Sequence, residues 1–361
     1  MRYLIAGGGT GGHIIPALNI AEELSKIDVD AHFKFIGTRR GLEIDIVSKR
    51  GYELELIDIK PWKGIKRSLK NFWHSVGQVR RIIREYRPHC AIGTGGYVSA
   101  PLAPACALHK VPIFWQEQNT YPGLASKLAS LFAKQVFLGF DESRQYLWRK
   151  KRAFYSGNPV FIEPAIEGKE QLRTKFGLNP DRFTIFITGG SQGASALNGT
   201  FLKMIQQYGL PRNSQAIWQC GKEEYPVLMK AIGQFEEKIS LHPFIEDMSS
   251  AYGASDLIIC RAGALTLAEI AVVGIPAILV PFPYAAMDHQ RKNARTFVQS
   301  EAAVMIDQSE LTPSLLFATI SDLIDEPNRL HRMANAMKSL GKPNATEVIA
   351  RKIYDYISKR S

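Results

Sequence analysis

The stretch Tyr3-Leu4-Ile5-Ala6-Gly7-Gly8-Gly9-Thr10-Gly11-Gly12-His13 runs from a short apolar segment straight into glycines. The second half of the chain repeats the device in Phe183-Thr184-Ile185-Phe186-Ile187-Thr188-Gly189-Gly190-Ser191-Gln192-Gly193-Ala194. A β-prone run, a glycine loop and then a helical pattern read as strand, tight turn and helix N-terminus, where backbone N–H groups and the helix dipole favour an anion. Two copies imply two phosphate-friendly clefts, one glycine loop in each of two domains.

The 361 residues, 45% of them hydrophobic, suffice for two domains that each bury a core. Candidate strands fall at 3–6, 32–36, 54–59, 90–92, 111–115 and 136–138, with helical patterns such as 17–25 between them. The scheme resumes at 184–188, 216–219, 257–260 and 277–280. Alternation of this kind predicts parallel β-α units and two Rossmann-like halves. The join is expected near Ser156-Gly157-Asn158-Pro159, before a helical run at 169–176, and a last helix is expected at 345–357.

Cys90, Cys106, Cys220 and Cys260 lie far apart, with no C-x-x-C pair and no His cluster at zinc spacing. The pattern suggests neither a disulfide framework nor a metal site, and it fits a reducing cytoplasm. Too few apolar residues precede the first glycines for a signal peptide, and the most apolar stretches are interrupted by proline, glycine and charge, against a membrane span. The expectation is a soluble or peripheral protein. The formal net charge is +11, and much of it crowds Lys60, Lys63, Lys66, Arg67, Lys70, Arg80, Arg81, Arg84 and Arg87. Leu69, Phe72, Val76, Val79, Ile83 and Tyr86 form the core stripe of that helix. Lys66, Lys70 and Trp73 stand off the stripe, with Trp62 and Ile65 just before them, which suits an anionic bilayer surface. A solvated helix face is the competing reading, and no nucleic-acid-binding signature accompanies the charge.

A dinucleotide fingerprint wants an acid at the end of the second strand, and Phe35-Ile36-Gly37-Thr38-Arg39-Arg40 has none, which argues against NAD. No Gly-Lys-Ser/Thr follows the first loop, so it is not a Walker loop either; a purely structural turn remains open. His13, at the helix start, titrates near neutrality and can take a proton from an acceptor hydroxyl, beside the alternative of a structural hydrogen-bonding role. The segment from Asp256 to Glu269 predicts a buried strand, a loop of small residues and a helix. Its first N–H groups, from Ala264, Leu265 and Thr266, would face a pyrophosphate, and Glu269 one turn inward would accept both hydroxyls of a ribose. Helix capping alone would explain Thr266 and Glu269 but not Arg261-Ala262-Gly263. Asp288, His289 and Gln290 follow another buried strand, where open α/β sheets bind ligands and polar side chains can meet sugar hydroxyls.

Taken together, Gly8-Gly9-Thr10-Gly11-Gly12-His13, Gly95-Gly96-Tyr97-Val98-Ser99, Glu117-Gln118-Asn119, Gly157-Asn158-Pro159-Val160, Gly189-Gly190-Ser191-Gln192-Gly193-Ala194, Cys260-Arg261-Ala262-Gly263-Ala264-Leu265-Thr266, Glu269 and His289-Gln290 resemble, in order, the motifs of the MurG family. These are the transferases that add N-acetylglucosamine to lipid I in peptidoglycan synthesis.

The resemblance implies an α/β GT-B fold: two Rossmann-like domains with parallel sheets facing across a cleft, an acceptor domain of residues 1–159 plus 344–361 and a donor domain of residues 160–343. It implies UDP-N-acetylglucosamine and lipid I as substrates, lipid II as product, inversion at the anomeric carbon and no cofactor. Ile245 would border the uracil, Glu269 would hold the ribose, Ser191 with Ala264, Leu265 and Thr266 would meet the phosphates, and Gln290 the sugar. Thr10, Gly11, Gly12 and Asn119 would reach the donor from the other domain. Gly9, Thr10, Gly12, His13 and Tyr97 would hold the acceptor, with His13 as base and Asn119, reaching donor sugar or acceptor from the opposite wall, as the second catalytic residue.

The quoted loops hold no D-x-D carboxylate pair, consistent with a metal-free reaction. Phe161 stands where some members have Arg, and His289 where some have Gln, so neither contact is carried over. The resemblance further implies an anionic membrane surface and proteins of the cell-wall machinery as partners, no nucleic acid, and a peripheral place on the cytoplasmic side of the inner membrane. Alternatives are another UDP-sugar transferase, a UDP-N-acetylglucosamine 2-epimerase or a non-catalytic nucleotide-sugar-binding module.

Overall fold

The computed structural model describes residues 1–39, 43–59, 65–163 and 165–360. It divides into two compact units, Met1–Phe161 with Lys342–Ser361, and Ile162–Gly341. The first unit holds β1 (Arg2–Ala6), β2 (His32–Gly37), β3 (Glu53–Leu56), β4 (Cys90–Gly93), β5 (Ile113–Glu117), β6 (Gln135–Leu138) and β7 (Ala153–Tyr155). The second holds β8 (Phe183–Thr188), β9 (Ser214–Gln219), β10 (Ile239–His242), β11 (Leu257–Cys260), β12 (Ala277–Leu279) and β13 (Ala303–Met305). The sheet orders are β3-β2-β1-β4-β5-β6-β7 and β10-β9-β8-β11-β12-β13. Every pairing is parallel.

Each order reverses direction once, between β1 and β4 and between β8 and β11. A doubly wound sheet opens a crevice at such a switch point, outside the C-terminal strand ends, because the connecting helices leave toward opposite faces. The two glycine loops follow β1 and β8, so the chain delivers its most permissive backbone to the two places where the sheets leave room.

The central strands are buried on both faces, as parallel sheets covered by helices require. In the first unit Tyr3, Ile5, Ile92 and Phe114 face one apolar cluster, while Leu4, Ala6, Ala91 and Trp115 face the other. Ile349, Ala350, Ile353 and Ile357 of the final helix, Ala345–Ser358, complete the first cluster by packing on the helix Gly11–Ile27. Each of the three isoleucines withdrawn from water contributes ~1.5–3 kcal/mol, enough to fix the last helix to the first unit. The chain's return is also pinned by Thr346, whose hydroxyl donates to the Val160 carbonyl at 3.0 Å.

Several expected boundaries move. The helix expected at 17–25 begins at Gly11 and runs through Pro16. A proline this close to a helix start loses only the bond to the Gly12 carbonyl, so it does not end the element. The strand expected at 54–59 is Glu53–Leu56; Ile57 still donates its N–H to the Gly37 carbonyl at 3.0 Å, and Ile57 and Ile59 are buried beyond the strand. β7, β10 and β13 fall outside the strands expected from the sequence. They are short edge strands, each paired to one neighbour only.

Candidate active site

In the first unit, the loop after β1 is folded against the loop after β4. Gly9, Gly95 and Gly96 have φ of 85°, 92° and 74°, a region closed to most side chains. A Cβ on Gly96 would sit 2.6 Å from the Gly8 carbonyl oxygen, and one on Gly9 2.9 Å from the Tyr97 ring, so the two loops touch backbone to backbone. Thr10 caps the helix Gly11–Ile27 in extended conformation with no side-chain capping bond. The N–H groups of Thr10, Gly11 and Gly12 have no hydrogen-bond partner among the described residues, leaving an anion site at the positive end of a 17-residue helix.

The Gly9 N–H is different: it donates to Oε2 of Glu43 at 3.2 Å. Glu43 is fully buried, and its Oε1 accepts from the Thr38 N–H at 2.9 Å and the Thr38 hydroxyl at 3.0 Å. An acid therefore does stand just past the second strand, but it is turned inward to hold the glycine loop rather than outward toward a ribose. Its spacing gave no sign of this.

His13 lies at the base of the loop. Its Nδ1 is 3.0 Å from the Thr94 carbonyl oxygen and 3.1 Å from Oε1 of Gln118. Both neighbours are acceptors, so Nδ1 carries the proton and Nε2 is left with its lone pair. Burial pushes the His13 imidazole below its ordinary range, against the upward pull of those two bonds, and keeps the ring neutral at pH 7. Asn119 stands past the end of β5, its backbone N–H 2.9 Å and its amide nitrogen 3.3 Å from Oε1 of the buried Glu117. Burial pushes the Glu117 carboxyl up.

The second unit repeats the arrangement. Gly190 and Gly193 have φ of 84° and 76°, and a Cβ on Gly193 would sit 2.1 Å from the Cys220 carbonyl oxygen. Ser191 and Gln192 are exposed at the tip of the loop. Gln219, at the end of β9, donates to Thr188 Oγ1 at 3.1 Å and to the Gly190 carbonyl at 3.2 Å, while its own Oε1 accepts the Ile245 N–H at 2.8 Å. Gln219 thus braces the second glycine loop and the buried Ile245 together, a role with no local sequence signal.

After β11, Gly263 caps the helix Ala264–Val273 without a side-chain bond, so its first turn, with Leu265 and Thr266, presents the positive end of the dipole. One turn on, Glu269 accepts the Tyr252 hydroxyl at 2.8 Å; burial pushes its carboxyl up to about 7, with the Tyr252 bond pulling the other way. Arg261 is held within the unit: it donates to the Val280 carbonyl at 3.0 Å and to Gln308 Oε1 at 2.6 Å. Gln290 accepts the Phe282 N–H at 2.9 Å, which leaves its amide NH2 outward. His289 Nδ1 lies 2.7 Å from the Ala286 carbonyl, and Met287 and Asp288 hold φ of 55° and 54°, strained backbone that fixes this loop.

The expected site residues thus divide between the units: Gly9, Thr10, Gly11, Gly12, His13 and Tyr97 gather at the β1/β4 switch point with Asn119 past the end of the adjacent β5, and Ser191, Ala264, Leu265, Thr266, Glu269 and Gln290 lie about the loops at the C-terminal ends of β8, β11 and β12, Ile245 with them through Gln219. The one D-x-D spacing in the chain, Asp28-Val29-Asp30, lies instead at the N-terminal edge of β1, where Asp28 pairs with the terminal ammonium at 2.8 Å. On the helix Ile65–Tyr86, Lys70 is exposed and Trp73 is 57% exposed, while Val76, Val79 and Ile83 are buried. Ile65 and Lys66 open this helix, and Trp62 lies outside the described residues.

Paired doubly wound domains, each with an anion-binding loop pair at its switch point, define the GT-B class of glycosyltransferases. The glycosyltransferase family 28 N-terminal domain profile matches residues 3–138 and the family 28 C-terminal domain profile residues 184–349. Proteins from Acetivibrio thermocellus (36% identical, 100% of both chains) and Chlorobaculum parvum (39%, 98% of both) are each described as UDP-N-acetylglucosamine--N-acetylmuramyl-(pentapeptide) pyrophosphoryl-undecaprenol N-acetylglucosamine transferase. A crystal structure of Acinetobacter baumannii MurG superposes with a TM-score of 0.80, at 28% identity over 99% of both chains. The chain belongs to the MurG family.

Proposed function

We propose that this chain moves N-acetylglucosamine from UDP-N-acetylglucosamine to the 4-hydroxyl of the MurNAc residue of lipid I, with inversion, giving lipid II for peptidoglycan. What carries the reading is the coincidence, in a chain that aligns end to end with transferases of that description, of amides at Thr10 to Gly12 and an Nε2 of the neutral His13 imidazole that have no partner among the described residues.

On this reading the acceptor pyrophosphate lies on the helix start at Thr10, Gly11 and Gly12, beside Tyr97, with Gly9 shaping the turn. His13 Nε2 takes the proton as the 4-hydroxyl attacks the anomeric carbon from the side opposite UDP. The C1–O bond to the diphosphate breaks, and the departing charge meets the Gly190–Ser191 loop and the first-turn amides that include Leu265 and Thr266. Preorganised dipoles of this sort cost no reorganisation during the reaction, and holding two substrates in line supplies a further share of the acceleration. Glu269 accepts the ribose hydroxyls, and the outward amide of Gln290 meets the sugar.

The exposed Lys70 and Trp73, with Arg80 and Arg84 along the same helix, support a peripheral seat on an anionic bilayer, where the lipid-linked acceptor resides. The decisive test incubates the protein with radiolabelled UDP-N-acetylglucosamine and a lipid I analogue. Label in the lipid product and UDP released only with acceptor support the reading. UDP release or epimerised sugar without acceptor overturns it.

A further inference from the structure

Three buried amides lead away from His13. Gln118 directs its Oε1 at His13 Nδ1, 3.1 Å away, and its Nε2 donates to the Thr94 carbonyl at 2.6 Å and to Gln116 Oε1 at 2.5 Å. Gln116 in turn donates through Nε2 to Asn158 Oδ1 at 2.9 Å, and Asn158 Nδ2 donates back to the Gln118 carbonyl at 3.0 Å. Gln116, Gln118 and Asn158 are 0%, 2% and 3% exposed. Gly139 makes the room: a Cβ there would lie 2.3 Å from Asn158 Oδ1.

Buried amides are costly unless each finds partners, and leucines of similar size would fill this space without that demand. The chain of bonds also has a sense. Gln118 Nε2 faces two carbonyl oxygens, so its own oxygen must face the ring, and an oxygen facing Nδ1 requires the proton there. Asn158, at the far end, sits in the segment by which the chain leaves the first unit at Phe161.

We propose that Gln118 is a positioning residue for the transfer: anchored through Gln116 by Asn158, it holds His13 as the Nδ1–H tautomer with Nε2 turned to the attacking hydroxyl. The proposal rests on the reading of His13 as base. Without Gln118 only the Thr94 carbonyl, 3.0 Å away, still favours Nδ1–H, so the share of the Nε2–H form preferred by a histidine in water rises, and that form has no lone pair to offer at the reacting end.

The test uses the full chain labelled with 15N-histidine. Two-bond 15N–1H correlation spectra, assigned with His13→Ala, report which ring nitrogen holds the proton. Wild type is expected to show Nδ1–H. Gln118→Leu is expected to show a mixture with Nε2–H, a fall in kcat of about tenfold and a KM for UDP-N-acetylglucosamine within about twofold of wild type, as expected for a lost transition-state interaction. Asn158→Ser, which leaves the His13 neighbours in place, is expected to move the spectrum the same way by less.

An unchanged Nδ1–H pattern in folded Gln118→Leu overturns the proposal, whatever happens to turnover. Should that variant fail to fold, an unchanged pattern in Asn158→Ser overturns it instead. If His13→Ala keeps full turnover, the base reading fails separately from the tautomer result.

Discussion

Glu269 gives the sharpest forecast, because burial pushes its carboxyl up to about 7 and the proposed ribose contact requires the ionised form. A ribose offers two hydroxyl donors, and only a carboxylate accepts both. Donor affinity in the wild-type protein should therefore weaken as pH falls below about 7. Tyr252→Phe removes one hydroxyl from a fully buried side chain and leaves its ring volume in place. A hydrogen bond to a charged group contributes ~1.5–3 kcal/mol, and one pH unit corresponds to about 1.4 kcal/mol, so the Glu269 value should rise by roughly one to two units. At pH 7 the ionised fraction then drops from about a half to about a tenth or below, and the donor Kd rises about fivefold or more. The gap closes as pH rises past the variant's own value. Calorimetric titration of UDP-N-acetylglucosamine into both proteins between pH 6 and 8.5 measures this. Parallel pH curves for the two proteins, or a wild-type affinity flat across the range, would refute the reasoning.

His13→Ala should lower turnover by about 100-fold or more, the usual scale for general-base loss, with donor affinity unchanged by calorimetry; turnover near wild type removes His13 from the role. Glu43→Gln places an amide NH2 against the Gly9 N–H and should cost ~1–3 kcal/mol in urea unfolding, with a raised KM for the lipid acceptor; unaltered stability and acceptor KM would show that the carboxylate does not hold the loop. Because the folded Glu269 carboxyl lies above its unfolded range, its favourable contribution exists only in acid and is lost as pH rises through about 7. Glu269→Gln should therefore melt higher than wild type at pH 8, with the difference shrinking toward pH 5, while donor binding is lost. Vesicles rich in anionic lipid should pellet the protein at low salt and release it at high salt, and Trp73→Ala with Lys70→Glu should weaken the pelleting; no pelleting at low salt excludes the Lys70–Trp73 face as a membrane seat.

Much of the architecture is written locally. Short apolar and aromatic runs before glycines mark β1 and β8, and the apolar spacing of Ile349, Ile353 and Ile357 marks the last helix, because strand and helix periodicities are properties of neighbouring residues. The candidate site is legible to the same depth, since His13, Glu269 and Gln290 sit in motifs beside those elements. Edge strands such as Ala153–Tyr155 and Ala303–Met305 are not, because their extended form comes from a sheet edge already present.

The sequence by itself determined which backbone is glycine-rich, which strands lead into it and which ionisable groups stand nearby. Tertiary structure alone decided how those groups are set: Glu43 folds back 34 residues to engage Gly9, Gln118 reaches His13 across 105, and Tyr252 meets Glu269 across 17. A tautomer or a carboxyl near neutrality depends on burial and on partners remote in the chain, and no local pattern encodes either.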